Sequence, residues 1–216
     1  MESSTPDLPD NLPADPLPLI ESWIAEAGEL TDRPNPNAMS LATASPDGQP
    51  NVRVVLAKEI NVANGYIVFY TNYNSPKGDE IEHNPKAAAA MHWDSLGRQI
   101  RLQGLLTLSP AEESDAYFLS RDRGSQVGAW ASEQSAPIES REALQQKFGD
   151  AEARFEGQEV PRPPHWGGYR LWPTSVELWI SRSSRLHERA LWTREVAVNN
   201  DEVTTTAWQT SGRLQP

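Results

Sequence analysis

Apolar residues first recur at helical spacing and then switch to alternation. Leu17, Ile20, Trp23, Ile24 and Ala27 lie three or four apart, one stripe of a helix. Asp15 followed by Pro16 is a suitable start, so the pattern predicts a helix over about 15 to 28. From Ala38 the period falls to two, and "AMSLATAS", "PDGQP" and "NVRVVLAKEI" read as strand, Asp-Gly turn and strand. "NVANG" is another turn leading into "YIVFYTN". "SPKGDEIEHNP" predicts a short helix with Ser75 as its N-cap and Pro85 beyond its end. "AAAAMHW" and "RQIRLQGLLTL" predict a hairpin around "DSLG". Helical stretches follow in "SPAEESDAYFLSRDR", near "SQVGAWAS" and in "SREALQQKFGDAEARF", closed by the Pro-rich "EVPRPPHWGGY". "YRLWP", "SVELWISR", "ALWTREVAV" and "EVTTTAWQT" then return to strand character.

Short strands with tight turns, interrupted once by helices, predict a mainly β fold: an antiparallel barrel with helical additions. Strand-helix-strand alternation is absent, as are "GxGxxG" and "GxxxxGK", so a doubly wound nucleotide-binding fold is not expected. Residues 1–14, rich in Pro, Asp and Ser and without Lys or Arg, read as a flexible acidic arm. Residues 15–216 read as a single domain with a helical insert at about 109–157, long enough to bury a sizeable core.

Charge and composition narrow the chemistry. Thirty Asp and Glu against nineteen Lys and Arg give a net charge of −11, which repels nucleic acid and anionic membranes. Neither is an expected partner, and any local basic cluster becomes more informative. The absence of Cys excludes disulfides, thiolate metal sites and cysteine nucleophiles. Four scattered His (His83, His92, His165, His187) predict no metal site, and there is no "GxSxG" turn for a serine hydrolase. Without an export signal or a long apolar run, the expectation is a cytoplasmic protein.

Three basic constellations stand out. In "SRSSRLHER", Arg185, His187 and Arg189 occupy every second position, so a strand would align two guanidiniums and an imidazole on one face. The alternative is a solvated strand edge. A neutral His beside Arg can accept or donate one hydrogen bond while the Arg side chains supply charge, which suits a polar aromatic ligand with an anionic substituent. In "YFLSRDRGS", Tyr117, Arg121 and Ser125 are four apart and would share a helical face suited to phosphate. The alternative is a Tyr packed along an Arg stem, with a break near Gly124 leaving Ser125 on a loop. In "NVRVVLAKEI", Arg53 and Lys58 fall on opposite strand faces, and Lys58 is equally a snorkelling surface lysine. "YTNYNSPKG" adds Tyr70, Thr71, Ser75 and Lys77 at a turn into a helix, a natural anion site. Together these groups suggest binding of one or two phosphorylated small molecules, with difficult chemistry supplied by a cofactor.

"RVVLAK", "FYTNYNSPKG", "RQIRLQG", "SRDRGSQVGAWASEQS", "VPRPPHWGGYRLWP" and "RLHER" resemble, in order and spacing, the motifs of the pyridoxamine 5'-phosphate oxidase family. The resemblance runs from about Leu12 to the C-terminal "RLQP". It implies a six-stranded antiparallel, Greek-key split β-barrel and a homodimer with FMN at the subunit interface. The implied reaction oxidises pyridoxamine or pyridoxine 5'-phosphate with O2 by hydride transfer from C4' to flavin N5, giving pyridoxal 5'-phosphate and H2O2, and NH3 from the amine. The implied FMN contacts are Arg53, Val54, Val55, Leu56, Lys58, Tyr70, Thr71, Lys77, Gln99, Gln134, Ser135, Trp179 and Arg189. Lys58, Tyr117, Arg121 and Ser125 would hold the substrate phosphate, with Arg185 and His187 as the catalytic pair over the pyridine. Three features depart from the family pattern: an arm without the usual Arg- and Tyr-bearing lid segment, Pro76 where an Arg is usual, and "WIS" in place of "WQG". Two alternatives follow: a phenazine-pathway type of flavin oxidase, and a flavin- or pyridoxal-phosphate-binding protein without turnover.

Overall fold

A computed structural model of the chain describes residues 6–199 and 202–216. The first helix, α1 (Leu17–Leu30), begins two residues later than expected because the Asp15 carboxylate accepts the Leu17 amide at 2.9 Å. Next come the hairpin β1 (Ala38–Ala44) and β2 (Pro50–Leu56), then β3 (Glu59–Asn61), β4 (Tyr66–Asn72) and α2 (Pro76–His83). The predicted hairpin around "DSLG" is present as β5 (Lys86–Trp93) and β6 (Arg98–Leu108). The insert holds α3 (Ala111–Leu119), α4 (Arg123–Ala131) and α5 (Arg141–Arg154). The chain closes with β7 (Trp166–Ile180), β8 (Glu188–Thr193), β9 (Val196–Asn199), β10 (Glu202–Thr205) and β11 (Gln209–Arg213).

All pairings are antiparallel. The main sheet runs β11-β8-β7-β6-β5-β1-β2, with β4 also on β7 and β3 on β4. It therefore has nine strands where six were expected, because short β3 and the C-terminal β8 and β11 join it. β9 and β10 form a separate hairpin, splitting two stretches that alternate as single strands in the sequence.

The fifteen-residue β7 organises the sheet. One edge pairs with β6 over Tyr169–Ile180, while the other pairs with β4 over Trp166–Leu171 and with β8 over Ser175–Ile180. The change of partner falls near a register shift between Gln103 and Gly104. Pro173 there has no amide to donate, and a Cβ on Gly104 would lie 2.2 Å from the Trp172 carbonyl oxygen. The sheet curls enough for β2 and β4 to come into contact. Leu17, Ile20, Trp23 and Ala27 of α1 share the enclosed core with Leu41, Met91, Ile100 and Trp192. A second core beneath the insert joins Phe118, Val127, Phe155 and Trp166.

The second half of the N-terminal arm lies against the domain. Leu8 is only 2% exposed, its amide donates to Glu188 at 3.1 Å, and Arg213 donates to the Leu8 and Pro9 carbonyls. Asp7 pairs with Arg182, and the Trp192 indole donates to the Pro13 carbonyl at 2.8 Å. One buried apolar side chain and a row of satisfied polar groups offset the ordering entropy that composition alone suggests would win. No described helix is long and apolar enough to cross a membrane.

Trp192 is fully buried and joins arm to core, so Trp192→Ala should lower unfolding stability by about 3–5 kcal/mol. Denaturant titration of parent and variant checks this, and a loss below about 1 kcal/mol would contradict the arrangement.

Candidate functional site

A cavity of about 560 Å³ opens where β2, β4, the start of β7 and the α3–α4 junction converge. Its floor is set by the turn before α2. Ser75 sits extended at the N-cap and Pro76 presets the first helical turn, which sends Lys77 inward. A Cβ on Gly78 would lie 1.7 Å from the Tyr73 carbonyl oxygen, so only glycine lets the turn fold this tightly over the helix start. The Lys77 ammonium donates to the Thr71 hydroxyl at 3.0 Å, the Ser75 hydroxyl at 2.9 Å and the Gln134 side-chain oxygen. Burial, and then the nearby Arg53 guanidinium, lower its pKa to about 8.

One wall is aromatic. The Tyr70 and Tyr117 rings stack at 3.9 Å and 10°, and Trp166 continues the stack 5.5 Å from Tyr70. The Arg121 guanidinium lies over Trp166 at 4.7 Å, and the Lys58 ammonium is 5.8 Å from the Tyr117 centroid. Burial pushes the Tyr70 phenol above its ordinary range and holds the Arg121 guanidinium below its own. Arg121 Nη1 is buried with no hydrogen-bond partner among the described residues. Lys58, Lys77 and Arg121 are absent from every ion pair among those residues. Val54, Val55 and Leu56 complete the lining on the β2 side. The cavity thus offers three cations, hydroxyls and an unpaired donor beside a flat aromatic surface, which suits an anionic ring compound.

Tyr117, Arg121 and Ser125 do converge here, but not on one helix. α3 ends at Leu119, and Asp122 caps α4 by accepting the Ser125 amide at 2.8 Å. The capping preference of Asp overrides the helical spacing, and the break precedes Gly124.

Arg53 lies just outside the lining. It pairs with Glu80 at 3.1 Å and donates to Thr43, while Glu80 also accepts from Asn51 at 2.6 Å and from Thr43. These hydrogen bonds hold the buried Glu80 carboxyl below its ordinary range despite desolvation. Ser135 follows Gln134 on an exposed loop, with a φ of 72°.

The remaining expected site residues form a second group outside this cavity. Gln99, Trp179 and Arg189 are register neighbours across β6, β7 and β8, and the His187 ring lies 4.6 Å from Trp179. Arg189 is held by Glu177 at 2.9 Å and by the Gln215 carbonyl at 2.9 Å. The alternating row expected of Arg185, His187 and Arg189 is corrected. Ser183–Arg185 form a helical turn, Ser184 and Arg185 have φ of 55° and 61°, and the strand begins only at Glu188. The two serines and the return hydrogen bond from the Leu186 amide to the Ser183 carbonyl favour the turn over extension. Arg185 is exposed, and His187 Nδ1 faces the Arg182 amide at 3.2 Å. Two residues of the cavity escape the sequence reading: Trp166, inside the quoted "HWGGY", and Asp122, inside the quoted "YFLSRDRGS".

A curled antiparallel sheet thus carries a cationic, aromatic-walled cavity. Residues 28–155 match the family model described as pyridoxamine 5'-phosphate oxidase, and residues 166–216 match that of the pyridoxine 5'-phosphate oxidase C-terminal dimerisation region. The chain belongs to the pyridoxamine 5'-phosphate oxidase family. It is 50% identical over 186 residues to a pyridoxine/pyridoxamine 5'-phosphate oxidase of Rubrobacter xylanophilus, covering 86% of this chain and 84% of that one. A namesake from Sphingopyxis alaskensis is 49% identical over 180 residues, covering 83% and 82%. The solved structure of PhzG from Burkholderia lata, in complex with tetrahydrophenazine-1-carboxylic acid, superposes with a TM-score of 0.81 at 32% identity, covering 96% of this chain and 95% of that one.

The lowered Lys77 pKa has a direct consequence for binding. An anion recruits the charged ammonium, so affinity should be full below about pH 8 and fall above it, by at most about tenfold per pH unit. Sulfate, whose charge is constant there, is the suitable probe. Lys77→Arg should flatten the profile, whereas a flat profile in the parent would show that Lys77 does not contribute its charge.

Proposed function

We propose that the chain is an FMN-dependent pyridoxamine/pyridoxine 5'-phosphate oxidase, acting as a homodimer with each flavin at the subunit interface. The observation that carries this reading is the unpartnered Arg121 donor in a cavity that also holds Lys58, Tyr117 and Ser125. A buried guanidinium with an unused N–H costs about 1–3 kcal/mol unless an anion completes it, and a phosphate ester does so. Lys77 and Thr71, backed by Arg53 and by the β2 backbone over Val54–Leu56, would hold the anionic end of FMN beside it. Tyr70, Gln134 and Ser135 belong to the same side. Gln99, Trp179 and Arg189 would approach from the partner subunit, which accounts for their lying outside this chain's own cavity.

Bound FMN would supply the two-electron acceptor and the return of electrons to O2, giving H2O2. The chain's own residues position the substrate. Lys58, Tyr117, Arg121 and Ser125 grip the phosphate, which fixes the distance from that anchor to the carbon being oxidised. Arg185 and His187 of the second group cover the pyridine. Because His187 Nδ1 takes the Arg182 amide, a neutral ring carries its proton on Nε2 and keeps that N–H for the ligand. A turnover of pyridoxamine phosphate gives an imine that water hydrolyses to pyridoxal 5'-phosphate and NH3.

A second reading is favoured by the PhzG superposition: a related flavin oxidase acting on a carboxylated ring. The four-residue anion grip supports the phosphate ester over it. Purified protein should be yellow and should convert pyridoxamine 5'-phosphate in air to pyridoxal 5'-phosphate and H2O2. Arg121→Ala should raise KM roughly tenfold or more, the worth of a charged hydrogen bond. Flavin-loaded protein inert to both B6 phosphates would overturn the reading.

A further inference from the structure

The cavity holds one acidic residue. Among the residues that line it, Lys58, Lys77 and Arg121 are cationic and Asp122 alone is anionic. Its carboxylate occupies the N-terminus of α4, accepting the Ser125 amide at 2.8 Å. The Ser125 hydroxyl and then its amide hold the Asp122 carboxyl below its ordinary range, so the group stays ionised. The Ser125 amide is therefore already committed to a carboxylate of the chain's own, and the Ser125 hydroxyl lies under the same carboxylate's influence. Next door, Arg121 keeps an Nη1 donor with no partner among the described residues. The two halves of one anion grip are thus in opposite states, one already satisfied from within and one waiting.

We infer that Asp122 is a specificity-determining residue: an exposed carboxylate in the cavity lining that competes with the incoming anion for Ser125 and sets the cavity against doubly charged phosphate relative to singly charged groups. The inference rests on the reading of this cavity as the substrate-anion site. Like-charge repulsion scales with the ligand's charge, so a phosphate dianion meets about twice the opposition a carboxylate meets. A ligand phosphate reaches Ser125 only by displacing Asp122 or by sharing the hydroxyl with it. The three cations keep binding favourable overall, and Asp122 lowers the margin by which phosphate wins.

The test uses the flavin-loaded full-length protein and Asp122→Asn. Asn caps helices as well as Asp does, so α4 is kept while the charge is removed. Dissociation constants are measured for pyridoxal 5'-phosphate, and for inorganic phosphate and acetate as competitors. Asp122→Asn should tighten pyridoxal 5'-phosphate and inorganic phosphate roughly fivefold or more, and acetate by less. In a Ser125→Ala background the same substitution should gain less, because the contested donor is gone. An equal gain for all three ligands would reduce Asp122 to a general field effect and overturn the inference, as would unchanged or weaker phosphate binding. These constants are read without turnover, so they stand apart from the proposed oxidation. A parent that binds pyridoxal 5'-phosphate but oxidises neither B6 phosphate would overturn the function alone.

Discussion

Two cations held in a partly enclosed cavity without an ion pair, Lys77 and Arg121, are the constraint around which the rest of the site is arranged. Burial of a charge is costly unless dipoles or an opposite charge replace the lost water. Lys77 is met by neutral oxygens, from Thr71, Ser75 and Gln134, and Arg121 by the faces of Trp166 and Phe118. Neutral partners keep the charges in place without cancelling them. Of the nearby carboxylates, Glu80 is spent on Arg53 outside the lining, and Asp122, the acid within the lining, is taken up by the Ser125 amide. A net charge of −11 and a cationic cavity are therefore compatible, because Asp122 alone among the lining residues is acidic.

The frame that holds these charges depends on β7. Its first half pairs with β4, which brings Tyr70 and Thr71 beside Trp166, and its second half pairs with β8, which aligns Trp179 with Arg189. One strand therefore carries members of both residue groups. Its length separates them within a chain, and a homodimer is the natural way to reunite them, in keeping with the dimerisation region matched over 166–216. The docked arm adds to this frame through Leu8 and Pro13 but brings no Arg or Tyr to it.

Much of this was legible in the residues. Helical spacing in α1, alternation through β1 and β2, and the turn chemistry at Asp47-Gly48 all express local preferences that packing reinforces. The misreadings share a cause. A period-two row of Arg185, His187 and Arg189 and a period-four row of Tyr117, Arg121 and Ser125 were each overridden by local hydrogen bonding, the Ser183 turn in one case and the Asp122 cap in the other. Spacing reports a face only while the element continues. The pairing of Arg53 with Glu80, twenty-seven residues away, and the break of β7's partners at Gly104 are tertiary, and no local pattern announces them.

The central claim is that the Arg121 group of one subunit and the Arg185 group of its partner serve a single site. Mixing Arg121→Ala and Arg185→Ala chains tests it, since a hybrid dimer then has one doubly damaged site and one intact site. Random reassociation makes half the dimers hybrid, so oxidation of pyridoxamine 5'-phosphate at low substrate should recover to about a quarter of the parent rate. A mixture no more active than the two variants assayed separately would contradict the account.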